Sequence, residues 1–343
     1  MKVVFLFSDY FMTVVWQKIP TLTDGATAKE MFLNHKISSF GSFLKLDEYS
    51  SLSKGFFFLL AAALFFALST VFLKFATSAP YFVSPATAIV VRFLVAFIIF
   101  GVWVIQRREP LRPHRWRLVV YRGIFNMLAV IFFFYGIKYT TVTKSNLLNL
   151  TYPAFVFIIA PHLAGEKSKW YHYIFLCTTL LGAALIALPP SGTGFSAINK
   201  GDFYSLLSGI VAGFAITILR ESRKFDSSSI ILFHQMGLGT ALSALFLFPQ
   251  LHMPHGGGLV YVMITSLLAA AGQLFLTVGY KYIPAALGSI VLTSGIFFST
   301  ILGITVFNDP LTGTLLIGGT LILFSQIGVS GILEKKTPIK EGA

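Results

Sequence analysis

The sequence is short of charge and almost free of cysteine, and each shortage excludes a class of protein. Only 11% of its 343 residues are Asp, Glu, Lys or Arg, against about a quarter in an ordinary soluble chain. A water-facing surface over most of the length is therefore excluded. The one cysteine, Cys177, allows no intrachain disulfide, thiolate metal cluster or redox pair; inside an apolar run it reads as a small buried hydrophobe. Acids are scarcer than bases, 13 against 26, and none falls in the middle of an apolar run. Carboxylate-based proton coupling and paired-carboxylate catalysis thus lack their residues. No H-E-x-x-H motif or acidic metal site occurs either, so no cofactor or metal is expected and the chain does not read as an enzyme.

What remains is apolar: 55% of residues are hydrophobic, with 36 Phe and 29 Gly. A hydrocarbon core about 30 Å thick takes about 20 apolar residues in a helix. Ten such runs occur, at Gly55–Leu73, Val83–Ile105, Leu118–Gly136, Asn146–Ala164, Trp170–Leu188, Phe203–Leu219, Ile230–Phe248, Leu259–Gly279, Ile283–Phe307 and Leu311–Leu333. They predict an all-α polytopic membrane protein with ten transmembrane helices. If the first run is entered from the cytoplasm, fifteen bases, among them Arg107, Arg108, Arg122, Arg220 and Lys281, fall at cytoplasmic ends. Only Lys74, Lys138, Lys144 and Lys200 fall at the opposite ends, and basic loops resist translocation. Both termini are therefore expected in the cytoplasm, with the chain in the cell's inner, cytoplasmic membrane. The net charge of +13 is then largely topological, and nucleic acid is not an expected partner. Residues 1–53 read as a cytoplasmic or interfacial extension, or a misassigned start, and residues 334–343 as a cytoplasmic tail.

The chain repeats itself. Lys54-Gly55 and Lys200-Gly201 stand 146 residues apart, and from the second run onward the offset is 143: Tyr135-Gly136-Ile137-Lys138-Tyr139 faces Val278-Gly279-Tyr280-Lys281-Tyr282. Ala63 and Ala67 match Gly209 and Gly213 at the first offset. Such small-xxx-small pairs let helices approach closely in lipid and predict corresponding contacts in two five-helix repeats, 54–190 and 200–333. Five spans per copy force the second to enter from the other side. Inverted repeats are a recurrent architecture of secondary transporters, with the substrate site near the middle of the membrane.

Arg122-Gly123, Tyr135 to Thr140, Leu150-Thr151-Tyr152-Pro153 leading to Gly165-Glu166, and the five-plus-five layout resemble the EamA-type permeases of the drug/metabolite transporter superfamily over residues 55–333. The resemblance implies a ten-helix inner-membrane carrier that exports, or in some members imports, amino acids or related metabolites. The chain departs from the family in its N-terminal extension and in Asp309-Pro310, where the second repeat often shows Glu.

Polar residues inside lipid are costly and tend to face a cavity or a partner helix. Arg92 lies about eight residues, or about 12 Å, into the second run. Its guanidinium can hold a carboxylate or phosphate bidentately, or bond backbone carbonyls and a neighbouring helix end. Asn146, Asn149 and Tyr152 share one helix face by their three-residue spacing, and Pro153 frees a carbonyl beside them. The equivalent stretch Ser289 to Gly295, with Thr293 and Ser294, is smaller and leaves room for a substrate's bulk. Interhelix hydrogen bonding explains the same stripe equally well. Asn126, His234, Gln235 and Gln273 are further candidates, each with a structural hydrogen bond as its plainer reading. Gln235 stands 143 residues from Arg92, which favours a cavity shared by both halves. Tyr135, Phe134 and Phe298 could supply aromatic walls. Glu166 and Asp309 precede spans and read as caps at positive helix ends.

The reading is a secondary transporter working by alternating access on a small polar metabolite, amino-acid-like, with its anionic group near Arg92 and its polar groups near Asn146 and Asn149. Facilitated diffusion or exchange is preferred to proton symport. A nucleotide-linked metabolite carrier, as for S-adenosylmethionine or a nucleotide sugar, is the alternative, and a non-transporting membrane scaffold the remote one. Expected partners are the small-molecule substrate and membrane lipid, with the chain a monomer or homodimer.

Overall fold

In lipid a backbone N–H or C=O can be satisfied only within its own helix, so the apolar runs become helices. The computed structural model describes residues 51–139, 145, 148–187, 199–252, 256–307 and 313–329, with no strand among them. The first repeat contributes α1 (Ser51–Thr77), α2 (Pro85–Arg107), α3 (Trp116–Tyr139), α4 (Tyr152–Leu163) and α5 (Trp170–Ala187). The second contributes α6 (Lys200–Ser222), α7 (Ser228–Leu247), α8 (Gly257–Gly279), the pair α9 (Ala285–Leu292) and α10 (Ser294–Phe307), and α11 (Gly313–Val329). Counting α9 and α10 as one stretch, seven are long and apolar enough to cross a membrane. The shorter apolar helices α4, α5 and α11 occupy the fourth, fifth and tenth runs.

Local chemistry sets the helix starts. Ser84 Oγ accepts the Thr87 N–H at 3.1 Å ahead of α2, with Pro85 at its first position. Asn199 and Asp202 form a reciprocal capping box on α6. Glu166 also meets a helix N-terminus, but not that of the span it precedes. Its Oε2 accepts the Ala285 N–H at 2.6 Å, at the start of α9, and its Oε1 accepts from Arg220 Nε at 2.9 Å. The cap therefore crosses between repeats. Asp309, expected to act likewise, lies outside the described residues. Between α2 and α3, Glu109 accepts from Ser227, the N-cap of α7, and from Ser229 in its first turn. Burial pushes its carboxyl up, but hydrogen bonds from Ser227, Ser229 and Arg107, with the Arg107 charge, outweigh burial and hold it below the usual carboxylate range.

The principal helix contacts run between the repeats, not within them: α3 on α6, α1 on α8, α5 on α11, α2 on α7, α4 on α6, and α1 on α9 and α10. Exchanging the repeats maps this pattern onto itself. Equivalent helices that touch are antiparallel. Phe93 packs on Gly239 and Phe97 on Gly237, while Gly101 faces Phe233; Gly182 meets Gly318, and Phe175 meets Gly328. Antiparallel equivalents are what two inverted repeats require. The small-residue pairs behave correspondingly. A Cβ on Gly209 would lie 2.9 Å from Thr151 Oγ1 and one on Gly213 2.9 Å from Phe155 Cβ, so α6 rests on the fourth span. Ala63 of α1 packs on Gly295 of the ninth span, 3.9 Å from the Cβ position there.

Both the fourth and ninth spans are broken, at Leu150-Thr151 and at Thr293, which agree at the repeat offset. Hydroxyls take up carbonyls at the breaks: Thr151 Oγ1 donates to Leu148 O at 2.6 Å, Thr293 Oγ1 to Ile290 O at 2.6 Å and Ser294 Oγ to Val291 O at 2.7 Å. The outer surface carries Ile98, Ile158, Leu181, Leu316 and Ile327, each more than half exposed, as lipid contact demands. Cys177 belongs to this surface. It is exposed on α5 and not buried, because a small apolar side chain is as well solvated by lipid as by protein.

Candidate functional site

A cavity of about 220 Å³ lies where α1, α3 and α4 meet α6, α8 and the α9–α10 break. Its walls pair repeat-equivalent positions of unequal size: Phe66 with Ala212 and Tyr152 with Gly295. The first repeat thus supplies the bulk and the second the room. A space of about 10 Å³, lined by Arg92, adjoins it and shares Asn126 and Gln273 with it. That is about the volume one water needs.

The polar centre of the large cavity is a residue that charge counting assigned to the cytoplasmic surface. Arg122 is only 2% exposed and sits six residues, or about 9 Å, along α3, where it lines the cavity. Counting it among the bases at cytoplasmic ends is thereby corrected: its side chain is buried between helices. The signal was present, since Arg122 stands within its own apolar run, Leu118–Gly136. Its neighbour Gly123 explains the dipeptide. A Cβ there would lie 2.8 Å from Leu238 Cδ1 and 3.6 Å from Gln235 Cα, so the missing side chain lets α7 close on α3. This approach puts Gln235, fully buried, opposite the arginine. Arg122 Nε donates to Gln235 Oε1 at 3.1 Å, and Gln235 Nε2 donates to Gln273 Oε1 at 3.4 Å.

The other candidates divide into two groups. Arg92, Asn126, Tyr152 and Gln273 line the two spaces, with Gln235 directly behind Arg122. Arg92 is half-buried and has no hydrogen-bond partner among the described residues; its guanidinium lies 5.9 Å from the Phe66 ring centroid, the outer limit of a cation–π contact. The side-chain amide of Asn126 is likewise without a partner among the described residues. Tyr152 donates its hydroxyl to Ser289 O at 3.2 Å. By contrast Asn149 Nδ2 donates to Ser208 Oγ at 2.7 Å, and Ser208 passes the chain to Ala129 O at 2.9 Å, which is interhelix bonding. His234 Nδ1 bonds Ile230 O on its own helix at 2.9 Å. Ser294 is 3% exposed and bonds Val291 O. These three line neither space. Asn146 lies outside the described residues.

The electrostatics are one-sided. The acids among the described residues, Glu109, Glu166, Asp202, Glu221 and Asp226, all lie at helix ends or in connections, and none lines either space. A buried cation without a counter-ion is expensive. Buried Arg122 and half-buried Arg92, with the amides of Asn126 and Gln273 between them, make a setting suited to an incoming anion, whose charge and acceptor oxygens would supply what the protein leaves out.

The sequence profile of the EamA-like transporter family matches residues 53–188 and again 199–331. Mouse solute carrier family 35 member G1 is 24% identical over 289 residues, covering 80% of this chain and 78% of its own. The pseudopaline exporter CntI of Pseudomonas aeruginosa strain UCBPP-PA14 is 24% identical over 217 residues, 62% of this chain and 74% of its own. A Helicobacter pylori protein named only as an uncharacterized transporter is 25% identical over 236 residues, 64% and 77%. One solved crystal structure superposes with a TM-score of 0.67 at 17% identity, covering 82% of this chain and 97% of the other, a likeness of fold. With both repeats matched and the helices apolar enough to span lipid, the chain belongs to the EamA-like transporter family and is a multi-pass membrane transporter of the drug/metabolite superfamily.

Proposed function

We propose that the transporter is a secondary carrier that moves a small polar metabolite with an anionic group, amino-acid-like in size and charge, across the cytoplasmic membrane by alternating access. One observation carries the reading: a cavity built from equivalent helices of both repeats holds Arg122, adjoins Arg92 and has no carboxylate in its lining. Inverted repeats rocking about a central site can expose it to either face in turn. A volume of about 220 Å³ lies below the about 300–1,000 Å³ typical of drug-sized ligands. It favours an amino-acid-sized solute over a nucleotide-linked one.

With no acid in the lining to carry a proton, facilitated diffusion or exchange is the preferred mode. The basic bias, still fourteen against four once Arg122 is set aside, supports both termini in the cytoplasm. The test is counterflow in proteoliposomes preloaded with acidic or neutral amino acids, with labelled amino acid outside and adenosyl compounds as competitors. Exchange that resists adenosyl competition supports the reading. Uptake blocked by adenosyl compounds and not by amino acids would replace it with the nucleotide-linked carrier.

A further inference from the structure

The hydrogen bonds behind the cavity have a direction, and that direction determines what the cavity offers. A guanidinium has donors and no acceptor. The Gln235 atom 3.1 Å from Arg122 Nε is therefore its carbonyl oxygen, which turns the amide nitrogen away from the arginine. That nitrogen in turn can only donate, so the Gln273 atom 3.4 Å from it is also a carbonyl oxygen. The Gln273 Nε2 is then left as the free end of a side chain that lines both spaces, with no partner among the described residues. Arg122 thus sets the orientation of an amide it does not touch. Gln235 itself is fully buried.

We infer that Gln235 is a positioning residue that sets charge specificity. By orienting Gln273, it makes the cavity present N–H groups at the guanidinium of Arg122 and the amide of Gln273, so that the site takes an acceptor-only anionic head group and refuses an ammonium. The inference rests on the substrate reading above and narrows it to solutes with a carboxylate or phosphoryl group. Arg92 adds a second cation and Asn126 an adaptable amide that can turn either end to the ligand. A purely structural Gln235, holding α3 to α7, would need only one of its two bonds. The second reaches across to α8 and does nothing for that packing.

The decisive experiment uses the full chain in nanodiscs and follows thermal stabilisation by three five-carbon probes, glutarate, 5-aminopentanoate and cadaverine, with inorganic phosphate as a fourth. Wild type should be stabilised by glutarate, or by phosphate if the head group is phosphoryl, and not by cadaverine. Gln235→Glu still accepts from Arg122 but neutralises it and cannot donate to Gln273. It should weaken the anion by at least about tenfold, the worth of a charge-assisted hydrogen bond.

Gln273→Glu keeps the bond from Gln235 and places an acceptor oxygen in the cavity. It guards against a Gln235 variant that fails to fold, and should show the same loss with cadaverine gaining. Folded Gln273→Glu protein with the wild-type order of probes overturns the inference, as does stabilisation of wild type by cadaverine equal to that by glutarate. Failure of the transport reading looks different. Anion binding lost in the variants, without counterflow of any solute in wild type, would leave charge specificity standing and remove the carrier; counterflow of a cationic solute would do the reverse.

Discussion

The two repeats share their packing and differ in their chemistry. The principal contacts between the repeats correspond in either half, down to Gly209 on the fourth span and Ala63 on the ninth. Yet at equivalent positions Arg92 faces Gln235, Arg122 faces Thr265 and Asn126 faces Ala269. Among the described residues, the first repeat holds both cations that line the two spaces, while the second holds Gln235 and Gln273. Where Arg122 opens on the cavity, Thr265 is used for packing, accepting through its carbonyl from Ser69 Oγ at 3.0 Å and so tying α8 to α1. The contrast separates two demands. A carrier that opens to both faces needs equal helix contacts on both sides of the site, whereas a ligand has one charged end and needs one set of donors.

The strongest way to break the contrast is to remove the first repeat's anchor. Arg122→Met should lower uptake in proteoliposomes by about 100-fold, the loss of a bidentate charge-assisted contact, with a normal size-exclusion profile, since it removes a desolvated charge that has no carboxylate partner among the described residues. The packing symmetry makes a matched prediction. Gly209→Leu and Ala63→Leu should each destabilise by about 1–3 kcal/mol, read by thermal unfolding in detergent, and unequal costs would show that the halves are packed less alike than their contacts suggest. Arg92→Ala, which deletes a cation held by no hydrogen bond among the described residues, should cost about tenfold in uptake with expression intact; full activity would remove Arg92 from the site.

The smallest effect lies outside the membrane. The folded carboxyl of Glu109 is held below the usual range, so its contribution to stability is present above its unfolded pKa and fades as pH falls through the folded value. The melting-temperature difference between wild type and Glu109→Gln should therefore be constant near neutral pH and shrink below about pH 4.5.

Much of this was legible in the residues. Apolar run length sets the helices, since lipid offers the backbone no other partner. The offsets of 146 and 143 located the repeats and the small-residue contacts, and Pro153 marked a weakened turn in the fourth span, whereas the paired breaks in the fourth and ninth spans came from the structure. Arg92, Asn126, Tyr152, Gln235 and Gln273 were drawn from the polar residues of those runs, and the structure gathers all five. Asn149 shows the limit. It shares a spacing with Tyr152, but the break at Leu150-Thr151 separates their surroundings, so one side chain turns to Ser208 and the other to the cavity. Periodicity along one helix does not reveal which neighbour each face will meet.

The sequence by itself thus determined the solvent, the helices and the duplication, because each depends on local composition and on spacing along the chain. Only the tertiary structure decided that Glu166 caps α9 across the repeat boundary, that Cys177 is exposed, and that Arg122 lines a cavity and bonds Gln235. Those facts depend on pairs more than one hundred residues apart, or on which side of a helix its neighbours cover. Packing fixes such relations, and no run length or charge count contains them.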